Sequence, residues 1–515
     1  MYLEEAKEEC PLTKREHIRP DIIRKIITVE AVKGELPTTW GRWLFPCWDW
    51  DLEDKVQRTS RVIAIIGLLD RFDLIDTLLM DGLTDDHLPL VKDADNCLRS
   101  QCGKNIFKSF NTHRGNKNLA HKFLETQWMV WAPILDFKAG NLTSIPLQPS
   151  STLPFDYERV AETTYSAVYK GTLWQLHHKG LSNNPGDEIC IAIKKFKDGP
   201  KDAKDRYYHD ELKTLKQIQM IEDEHINKAL ACCDQTRCIF FPWASGGDLW
   251  DFWDANGPQE LKRTPDVFLW ALEQITGLTH ALTMIHRAET RHGDLKPSNI
   301  LHFNDDTTKL GTLKIADFGV SRMHKIETGL RNSPTITKAS TFVYEAPEAH
   351  DYFKGRESRS RKYDCWSMGC IMLEFVIWLL YDCAAVSSCH DKRDPPDRSY
   401  YRLIPGPNPR KQAIEEAVEV HPMVDRAIGE MKHHVWFKNT AMEAITNLVK
   451  SDLLKIKAGE RLGAGETYIT LQTILAEAQK DTSAFSREID PKLPVPRIFS
   501  TPAKQTSTQA TYEQH

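Results

Sequence analysis

The stretch His292-Gly293-Asp294-Leu295-Lys296-Pro297-Ser298-Asn299-Ile300-Leu301 lies near the middle of the chain and is its most informative motif. It places a carboxylate, a cation and an amide in close succession, and Asp317-Phe318-Gly319 and Ala346-Pro347-Glu348 follow downstream. Transfer of a phosphoryl group needs a carboxylate at the acceptor hydroxyl, a cation at the γ-phosphate and oxygen ligands for Mg²⁺. The chain offers these groups, in a suitable order, at Asp294, Lys296, Asn299 and Asp317.

These three segments resemble the signature set of eukaryotic protein kinases, H-R-D-L-x-x-x-N, D-F-G and A-P-E. The resemblance implies that Asp294 is the catalytic base and that Lys296 neutralises charge on the γ-phosphate. It implies that Asn299 and Asp317 hold Mg²⁺ through hard oxygen donors. Lys296, placed just after the base, and Thr341, upstream of A-P-E, are typical of kinases that act on serine and threonine. The alternative for each residue taken singly is a solvated polar loop side chain.

A lysine and a glutamate upstream complete the expected nucleotide site. The segment Ile191-Ala192-Ile193-Lys194 resembles V-A-I-K, which implies that Lys194 pairs with the α- and β-phosphates of ATP. Glu211 and Leu215 fall one turn apart on one face of a predicted helix. The resemblance assigns Glu211 to the salt bridge that holds Lys194. The alternatives are an exposed strand lysine and a surface helix glutamate.

The loop expected to cover the phosphates departs from the family pattern G-x-G-x-x-G-x-V. The three glycines are replaced, in order, by Ala161, Thr163 and Ser166. Glycine lets backbone N–H groups approach a phosphate closely and allows a positive φ angle. Thr163 is β-branched and therefore stiffer than glycine. The sequence predicts weaker nucleotide binding, or a loop that is held in a different way.

The segment Cys238 to Leu249 resembles the strand-to-linker segment of the family, which ends in G-G-x-L. The resemblance places Phe241 at the back of the adenine pocket. It places the backbone of Pro242 and Ala244 at the adenine edge, and Asp248 within reach of the ribose or of a basic substrate residue. The apolar side chains expected to sandwich the base are those of Val160, Val168, Ala192 and Leu301.

Gly293 stands where the family has the arginine of H-R-D. In the family that arginine pairs with a phosphate on the activation loop and orders the loop. The replacement predicts activity that does not depend on this phosphate. The candidate phosphorylation sites in the loop are Ser333, Thr335 and Thr337.

Two structural anchors extend the resemblance into the C-terminal half. Asp364 resembles the buried aspartate that supports the catalytic loop. Arg461 resembles the partner of Glu348, which predicts a partly buried bidentate ion pair. The loss of one partner would strand the other charge.

The chain divides into three regions by pattern. Residues 1–150 are predicted to be a mainly helical N-terminal extension, joined by a linker at 146–152 to a kinase-like domain at 155–480. This extension is similar to those found before kinase domains in filamentous-fungal proteins. Residues 481–515 are poor in apolar side chains and are predicted to be a disordered tail. The fold class expected for the whole is α+β and bilobal, with a small β-rich lobe that carries one key helix and a large, mainly helical lobe.

Composition limits the possible partners. The 515 residues are 41% hydrophobic and 27% charged, with a net charge of −5, which is ordinary for a globular protein. The sequence shows no basic stripe with interleaved aromatic residues, the pattern typical of nucleic-acid binding. The acidic N-terminus does not look like a secretory signal. The apolar run from Ile371 to Leu380 is short for a membrane span and contains Glu374, so it is predicted to be a buried core helix.

The leading functional hypothesis is ATP- and Mg²⁺-dependent phosphorylation of serine and threonine in protein substrates, without nucleic-acid or membrane partners. The expected location is cytoplasmic, with the nucleus as the alternative. The rival hypothesis is a pseudokinase or scaffold that keeps the fold and transfers little or no phosphate. The lost glycines favour the rival, whereas the intact catalytic set opposes it.

Overall fold

The computed structural model describes residues 2–35, 52–93, 97–112, 118–137, 142–163, 165–175, 177–181, 188–197, 201–304, 308–318, 343–349, 360–393, 398–404, 418–486 and 495–500. The chain forms two compact units, which are described separately. The first contains Met1–Lys197 and Leu230–Phe241, and the second contains Asp198–Ala229 and Pro242–His515. Several residues of the sequence-based predictions lie outside the described part, namely Gly319, Ser333, Thr335, Thr337 and Thr341.

The N-terminal section of the first unit packs short helices around an apolar core. These helices are α1 (Pro20–Ile26), α2 (Val29–Glu35), α3 (Leu52–Arg58), α4 (Ser60–Leu68), α5 (Ile75–Met80), α6 (Ser109–Thr112) and α7 (Leu119–Thr126). Helix α4 lies at the centre, since its apolar run from Val62 to Ile66 is buried. Two small antiparallel sheets accompany the helices, one formed by β1 (Glu8–Glu9) and β2 (Glu16–His17), the other by β3 (Leu90–Lys92), β4 (Leu98–Ser100) and β5 (Ile106–Phe107). The helical content predicted here therefore comes with strands.

A six-stranded sheet forms the rest of the first unit. Its strands, in spatial order, are β7 (Thr143–Ser144), β12 (Ala231–Cys233), β13 (Cys238–Pro242), β11 (Cys190–Phe196), β9 (Ser166–Leu173) and β8 (Phe155–Glu162). Strand β7 comes from the N-terminal section and pairs in parallel with β12. A second parallel pair joins β6 (Leu135–Asp136) to β10 (His178–Lys179). The N-terminal section thus contributes strands to the sheet that follows it in sequence.

The predicted linker at 146–152 is partly packed, since three of its seven residues are buried and four are exposed. Leu147 is buried in the apolar cluster on one face of the six-stranded sheet, together with Phe155 and Ile193. Ser151 and Thr152 are each only 1% exposed. Cys10 and Leu12 join the same cluster, so the start of the chain and the sheet share one core. The stretch is packed because its apolar side chains cover a sheet face that would otherwise be open to water.

The second unit is mainly helical. Its helices are α8 (Lys201–Gln219), α9 (Leu249–Ala255), α10 (Pro265–Arg287), α11 (Lys362–Leu380), α12 (Cys383–Asp391), α13 (Pro422–Met431), α14 (Ala441–Leu448) and α15 (Ala464–Lys480). Two hairpins complete it, β14 (Ile300–Phe303) with β15 (Thr312–Ile315), and β16 (Tyr401–Leu403) with β17 (Val418–Val420). One unit rich in strands and one rich in helices confirm the predicted α+β class.

Helix α11 is the core of the second unit. Among the described helices it alone is long and apolar enough to cross a membrane, and its apolar window is 100% buried inside the fold. The prediction of a buried core helix around Ile371 to Leu380 is confirmed.

The predicted disordered tail is partly ordered. Phe485 stacks on Phe268, with ring centroids 4.5 Å apart. Residues Arg497–Phe499 form a turn of 3₁₀ helix in which Ile498 and Phe499 are 5% and 2% exposed. The prediction is wrong for residues 495–500. The apolar side chains of Ile498 and Phe499 are buried there against the helical unit, which orders this short stretch.

Candidate active site

The segment that follows α10 holds Asp294 in a fixed orientation. Its carboxylate oxygen Oδ2 lies 2.9 Å from Lys296 Nζ and accepts a hydrogen bond of 3.1 Å from Asn299 Nδ2. The same amide donates to the main-chain oxygen of Asp294 at 2.7 Å. All three side chains are largely buried, with Asp294 8% exposed. The three residues that the sequence singled out are therefore brought together by direct contacts.

Asp364 of α11 supports this segment from below. Its carboxylate is 0% exposed and accepts hydrogen bonds from the backbone N–H groups of His292 and Gly293, both at 2.8 Å. His286 Nε2 lies 2.9 Å from the same carboxylate. Burial alone would raise the pKa of Asp364, but the hydrogen bond and charge of His286, with His292 and the Gly293 N–H, lower the pKa below its usual value. The predicted supporting role is confirmed, whereas the contribution of His286 was missed.

Gly293 has a φ angle of +81°, in the left-handed region. Glycine adopts this conformation without steric penalty, whereas a residue with a Cβ atom pays about 1–2 kcal/mol. The conformation aims the N–H of Gly293 at Asp364. From the sequence, Gly293 indicated only the loss of a cation that binds phosphate. In the structure, glycine also avoids backbone strain in the turn that precedes Asp294.

Asp317 follows β15 and lies next to the catalytic segment. The N–H of Ala316 donates to the carbonyl of Asn299 at 2.9 Å, and His292 Nε2 lies 2.8 Å from the carbonyl of Ala316. Asp317 has a φ angle of +61°, a conformation that is uncommon outside glycine and is often found at functional sites. The ring of Phe318 is buried against His292, with centroids 5.3 Å apart.

Asn299 and Asp317 fit Mg²⁺ by their donor chemistry. Asn299 uses its amide nitrogen on Asp294, so its amide oxygen is the atom left for a cation. The carboxylate of Asp317 supplies further hard oxygen atoms, which Mg²⁺ prefers. The hydrogen bond between Ala316 and Asn299 ties together the two chain segments that carry these side chains.

Asp248 caps a helix. Its Oδ1 accepts from the N–H of Asp251 at 2.9 Å, and its own N–H donates to Asp251 Oδ2 at 3.1 Å, which forms a capping box at the start of α9. Burial raises the pKa of Asp248. The backbone of Asp248 also bridges to Leu301 of β14, so these two predicted nucleotide contacts are neighbours. This cap was not predicted from the sequence. The spacing of Asp248 and Asp251, two acids three residues apart at the start of a helix, could have indicated it.

The strand register of the first unit brings several predicted contacts to one sheet face. Lys194 lies opposite Val168, and Val168 lies opposite Ala161 on the other side. Residues directly opposite one another point to the same face of a sheet. Ala192 lies two residues from Lys194 on the same strand and shares that face. The register therefore supports one continuous face for these residues.

Val160 stands beside a bulge between β8 and β9. The register of the two strands shifts between Arg159 and Ala161. The side chain of Val160 is 53% exposed.

The loop without glycines is closed by its own side chains. Thr163 Oγ1 accepts hydrogen bonds from the backbone N–H groups of Tyr165 and Ser166, at 3.3 and 3.1 Å. The N–H of Thr163 donates to the carbonyl of Ser166 at 2.8 Å. Lys197 pairs with Glu162 at 2.6 Å and also donates to the carbonyl of Thr163. Threonine commonly closes turns in this way. The loop is therefore held differently, as one branch of the prediction stated.

The remaining predicted nucleotide contacts are distributed over both units. Glu211 and Leu215 of α8 are 4% and 1% exposed, which confirms that they share a buried helix face. Ala244 is buried, whereas Phe241 and Pro242, at the end of β13, are half-buried. The salt bridge between Lys194 and Glu211 stays a prediction.

Glu348 and Arg461 form a fully buried ion pair. Two guanidinium nitrogens meet two carboxylate oxygens at 2.7 Å each, and both side chains are 0% exposed. Arg461 also donates to the carbonyls of Lys455 and Ile456. The predicted bidentate pair is confirmed and is more deeply buried than expected.

Comparison with known proteins finds a family model and several curated proteins that match the region of this site. Residues 181–393 match the family model of the protein kinase domain. The chain is similar to a protein named probable serine/threonine-protein kinase KIN28 homolog from Encephalitozoon cuniculi, with 25% identity over 229 residues, which cover 42% of this chain and 65% of the relative. It is similar to serine/threonine-protein kinase crk1 from Schizosaccharomyces pombe, with 27% identity over 226 residues, 42% of this chain and 56% of the relative.

A third relative is named probable cyclin-dependent kinase 8, from Dictyostelium discoideum, with 28% identity over 230 residues, 43% of this chain and 53% of the relative. The chain therefore spans between about half and two thirds of the length of these relatives. The matched region contains the Asp294 segment and Asp317, whose geometry is given above. The motifs and the α+β fold agree with these matches, in which residues 181–393 match the protein kinase domain and the similar proteins are named as kinases.

Proposed function

We propose that the protein transfers the γ-phosphate of ATP to serine and threonine hydroxyls of protein substrates, with Asp294 as the catalytic base. The observation that carries this proposal is the arrangement at Asp294, whose carboxylate is held by Lys296 at 2.9 Å and by Asn299 at 3.1 Å. A buried carboxylate, cation and amide in mutual contact suit phosphoryl transfer, which depends mainly on positioning and electrostatic stabilisation.

Each residue of the site has a distinct task in this proposal. Asp294 orients the acceptor hydroxyl and takes its proton, while Lys296 neutralises charge that develops on the transferred phosphate. Asn299 and Asp317 would hold Mg²⁺, which supplies further neutralisation of the phosphates. Lys194, held by Glu211, would pair with the α- and β-phosphates.

The remaining contacts hold the nucleotide. Phe241, Pro242 and Ala244 would line the adenine pocket. The proposed partners are protein substrates, and the proposed location is cytoplasmic.

A thermal-shift titration tests nucleotide binding. Because a ligand that binds only the native state stabilises it, ATP with Mg²⁺ is expected to raise the melting temperature. At a ligand concentration of a hundred times Kd, the free energy of unfolding should rise by about 2.7 kcal/mol. Asp317→Ala should lose this response, whereas Asp254→Ala, at an exposed position of α9, should keep it. No shift of the wild-type protein at millimolar nucleotide would contradict the proposal.

A specific observation favours the second candidate, a pseudokinase or scaffold. The N–H groups of Tyr165 and Ser166 are already used by Thr163 Oγ1. Backbone N–H groups of such a loop are the usual donors to nucleotide phosphates. Because these N–H groups already donate to Thr163, fewer donors remain for a nucleotide phosphate. This would weaken nucleotide binding without any change in the residues around Asp294.

Replacing Thr163 by valine separates these effects. Valine keeps the β-branched shape but lacks the hydroxyl, so it frees two N–H groups without the added chain flexibility that glycine would bring. We expect Thr163→Val to tighten the binding of ATP with Mg²⁺ by about two- to tenfold, the worth of a typical hydrogen bond. Titration calorimetry measures this, with Thr163→Ser as the variant that keeps the hydroxyl. Weaker binding by Thr163→Val would mean that the hydroxyl prepares the loop for the nucleotide.

A further inference from the structure

Residues 495–500 make more polar contacts with the helical unit than a loose tail requires. Lys392 Nζ, just after α12, donates to the carbonyls of Arg497, Ile498 and Ser500. Ser388 Oγ lies 3.1 and 3.0 Å from the carbonyl oxygens of Ile498 and Ser500, which share its single hydrogen. These donors bind the end of the 3₁₀ turn, where unpaired carbonyls collect. The segment is therefore bound by one hydroxyl on α12 and by one cation just after it.

An aromatic contact completes the docking. Phe499 stacks on Tyr381, with centroids 4.3 Å apart and an interplanar angle of 30°. Tyr381 in turn meets the ring of His434 edge-on at 5.2 Å. Ile498 and Phe499 are the buried side chains of the segment. The burial of two apolar side chains stabilises the docked segment, whereas the ordering of six residues costs conformational entropy. The two contributions are of similar size, so the contact can open.

Helix α12 also reaches a buried carboxylate in α11. Glu374 is 1% exposed and is bonded by His390 Nε2 from α12. Tyr400 donates to the same carboxylate, and the Arg393 guanidinium lies over the Tyr400 ring at 4.0 Å. Burial alone would raise the pKa of Glu374, but His390, Arg393 and the Tyr400 hydroxyl lower it below its usual value. Helix α12 thus contacts the tail through Ser388 and Glu374 through His390.

The other oxygen of Glu374 holds the segment 343–349. Tyr344 Oη donates to Glu374 Oε2 at 2.8 Å, and Ser367 Oγ donates to the carbonyl of Tyr344 at 2.8 Å. At its far end the segment is fixed by the ion pair of Glu348 with Arg461. This segment contains Ala346-Pro347-Glu348 and follows Thr341, which by the family resemblance is typical of kinases that act on serine and threonine. A continuous set of contacts therefore runs from the carbonyls of residues 497–500 through α12 and Glu374 to Tyr344 in the segment 343–349.

We propose that residues 495–500 act as a clamp in cis that positions the acceptor-binding segment 343–349 through α12. The proposal rests on the proposed kinase activity and adds positioning residues to it, chiefly Lys392 and Phe499. Docking of the tail holds α12 against α11, and α12 keeps Glu374 aligned with Tyr344. Release of the tail loosens Tyr344 and weakens binding of the protein acceptor, while the residues around Asp294 are untouched.

Kinetics on the full chain, with casein as the acceptor, test the clamp. Lys392→Met and Phe499→Ala are expected to raise the KM for casein about three- to tenfold, as the loss of one or two contacts would, with the KM for ATP nearly unchanged. Lys392→Arg, which keeps the cationic donors, should restore the wild-type KM. Lys432→Met, at an exposed lysine after α13, is the matched control. A fall in kcat with an unchanged KM for casein would overturn the proposal.

Hydrogen exchange separates this proposal from the proposed function. In Phe499→Ala, or in a chain that ends at Asp490, amide exchange is expected to quicken in residues 343–349 as well as in α12. A synthetic peptide of residues 491–503 should reverse this in the shortened chain, whereas a scrambled peptide should not. Faster exchange confined to 495–500 would overturn the clamp. If the wild-type protein transfers no phosphate, the proposed function fails, and exchange still decides whether the tail controls Tyr344.

Discussion

Asp294→Asn is expected to leave a folded protein whose rate of phosphate transfer falls by about 10²- to 10⁴-fold, the usual contribution of a general base. The amide keeps the size of the side chain and an oxygen for the contacts with Lys296 and Asn299, but it cannot take the proton of the acceptor. Transfer of radiolabel from ATP to casein measures the rate, and the KM for ATP should change little. The loss belongs to kcat, since proton transfer occurs in the transition state rather than in the bound ground state.

The control for this variant is Asp254→Asn, the same chemical change at an exposed position of α9. Both variants should melt close to the wild-type temperature, which shows that the loss is not a loss of fold. Equal transfer by wild-type protein and Asp294→Asn would remove Asp294 from the role of base. Transfer by both proteins at the level of a blank without protein would make the pseudokinase the better description of the chain.

Arg461→Met is expected to lower the free energy of unfolding by about 3–5 kcal/mol, the usual result of removing one partner of a buried ion pair. Glu348 would be left without its cation in a site that is 0% exposed. The carbonyls of Lys455 and Ile456 would also lose a donor. Urea unfolding, followed by tryptophan fluorescence, measures the shift of the midpoint.

A surface pair gives the matched control. Arg402 and Glu419 meet at 2.7 Å, but both side chains are more than 40% exposed. Arg402→Met should therefore cost less than about 1 kcal/mol, because water screens such pairs. The double variant Glu348→Leu with Arg461→Met should recover part of the lost stability, since it removes the stranded charge. A cost for Arg461→Met no larger than that for Arg402→Met would contradict the importance of burial.

The catalytic segment could be predicted from sequence because its chemistry is local. The spacing of Asp294, Lys296 and Asn299 fixes which side chains can touch once the turn forms, and the structure brings them together as expected. The long-range partners Asp364, Glu348 and Arg461 were also found, through resemblance to a known family rather than through spacing. Motifs carry this information because the same contacts recur wherever the fold does.

Contacts made by side chains outside the motifs could not be predicted. From the sequence, Thr163 was interpreted only as a stiff, β-branched residue. Its hydroxyl accepts hydrogen bonds from two backbone N–H groups, a contact that depends on the conformation of the turn. Glu374 was noted as a charge in an apolar run, but its partners come from three different segments. Phe499 and Leu147 lie in stretches of low apolar content, where local composition indicates a tail or a linker. Their burial depends on surfaces distant in sequence, which composition does not report.

The strand pairing of β7 with β12 joins residues 143–144 of the N-terminal section to the six-stranded sheet. A free sheet edge presents unpaired N–H and C=O groups that invite another chain to add a strand. Here the edge beside β12 is closed from within the same chain, and Leu135, Ile145 and Leu147 cover the sheet face. Removing residues 143–144 would expose the edge of β12 again, so the sheet depends on the N-terminal section for one of its two borders.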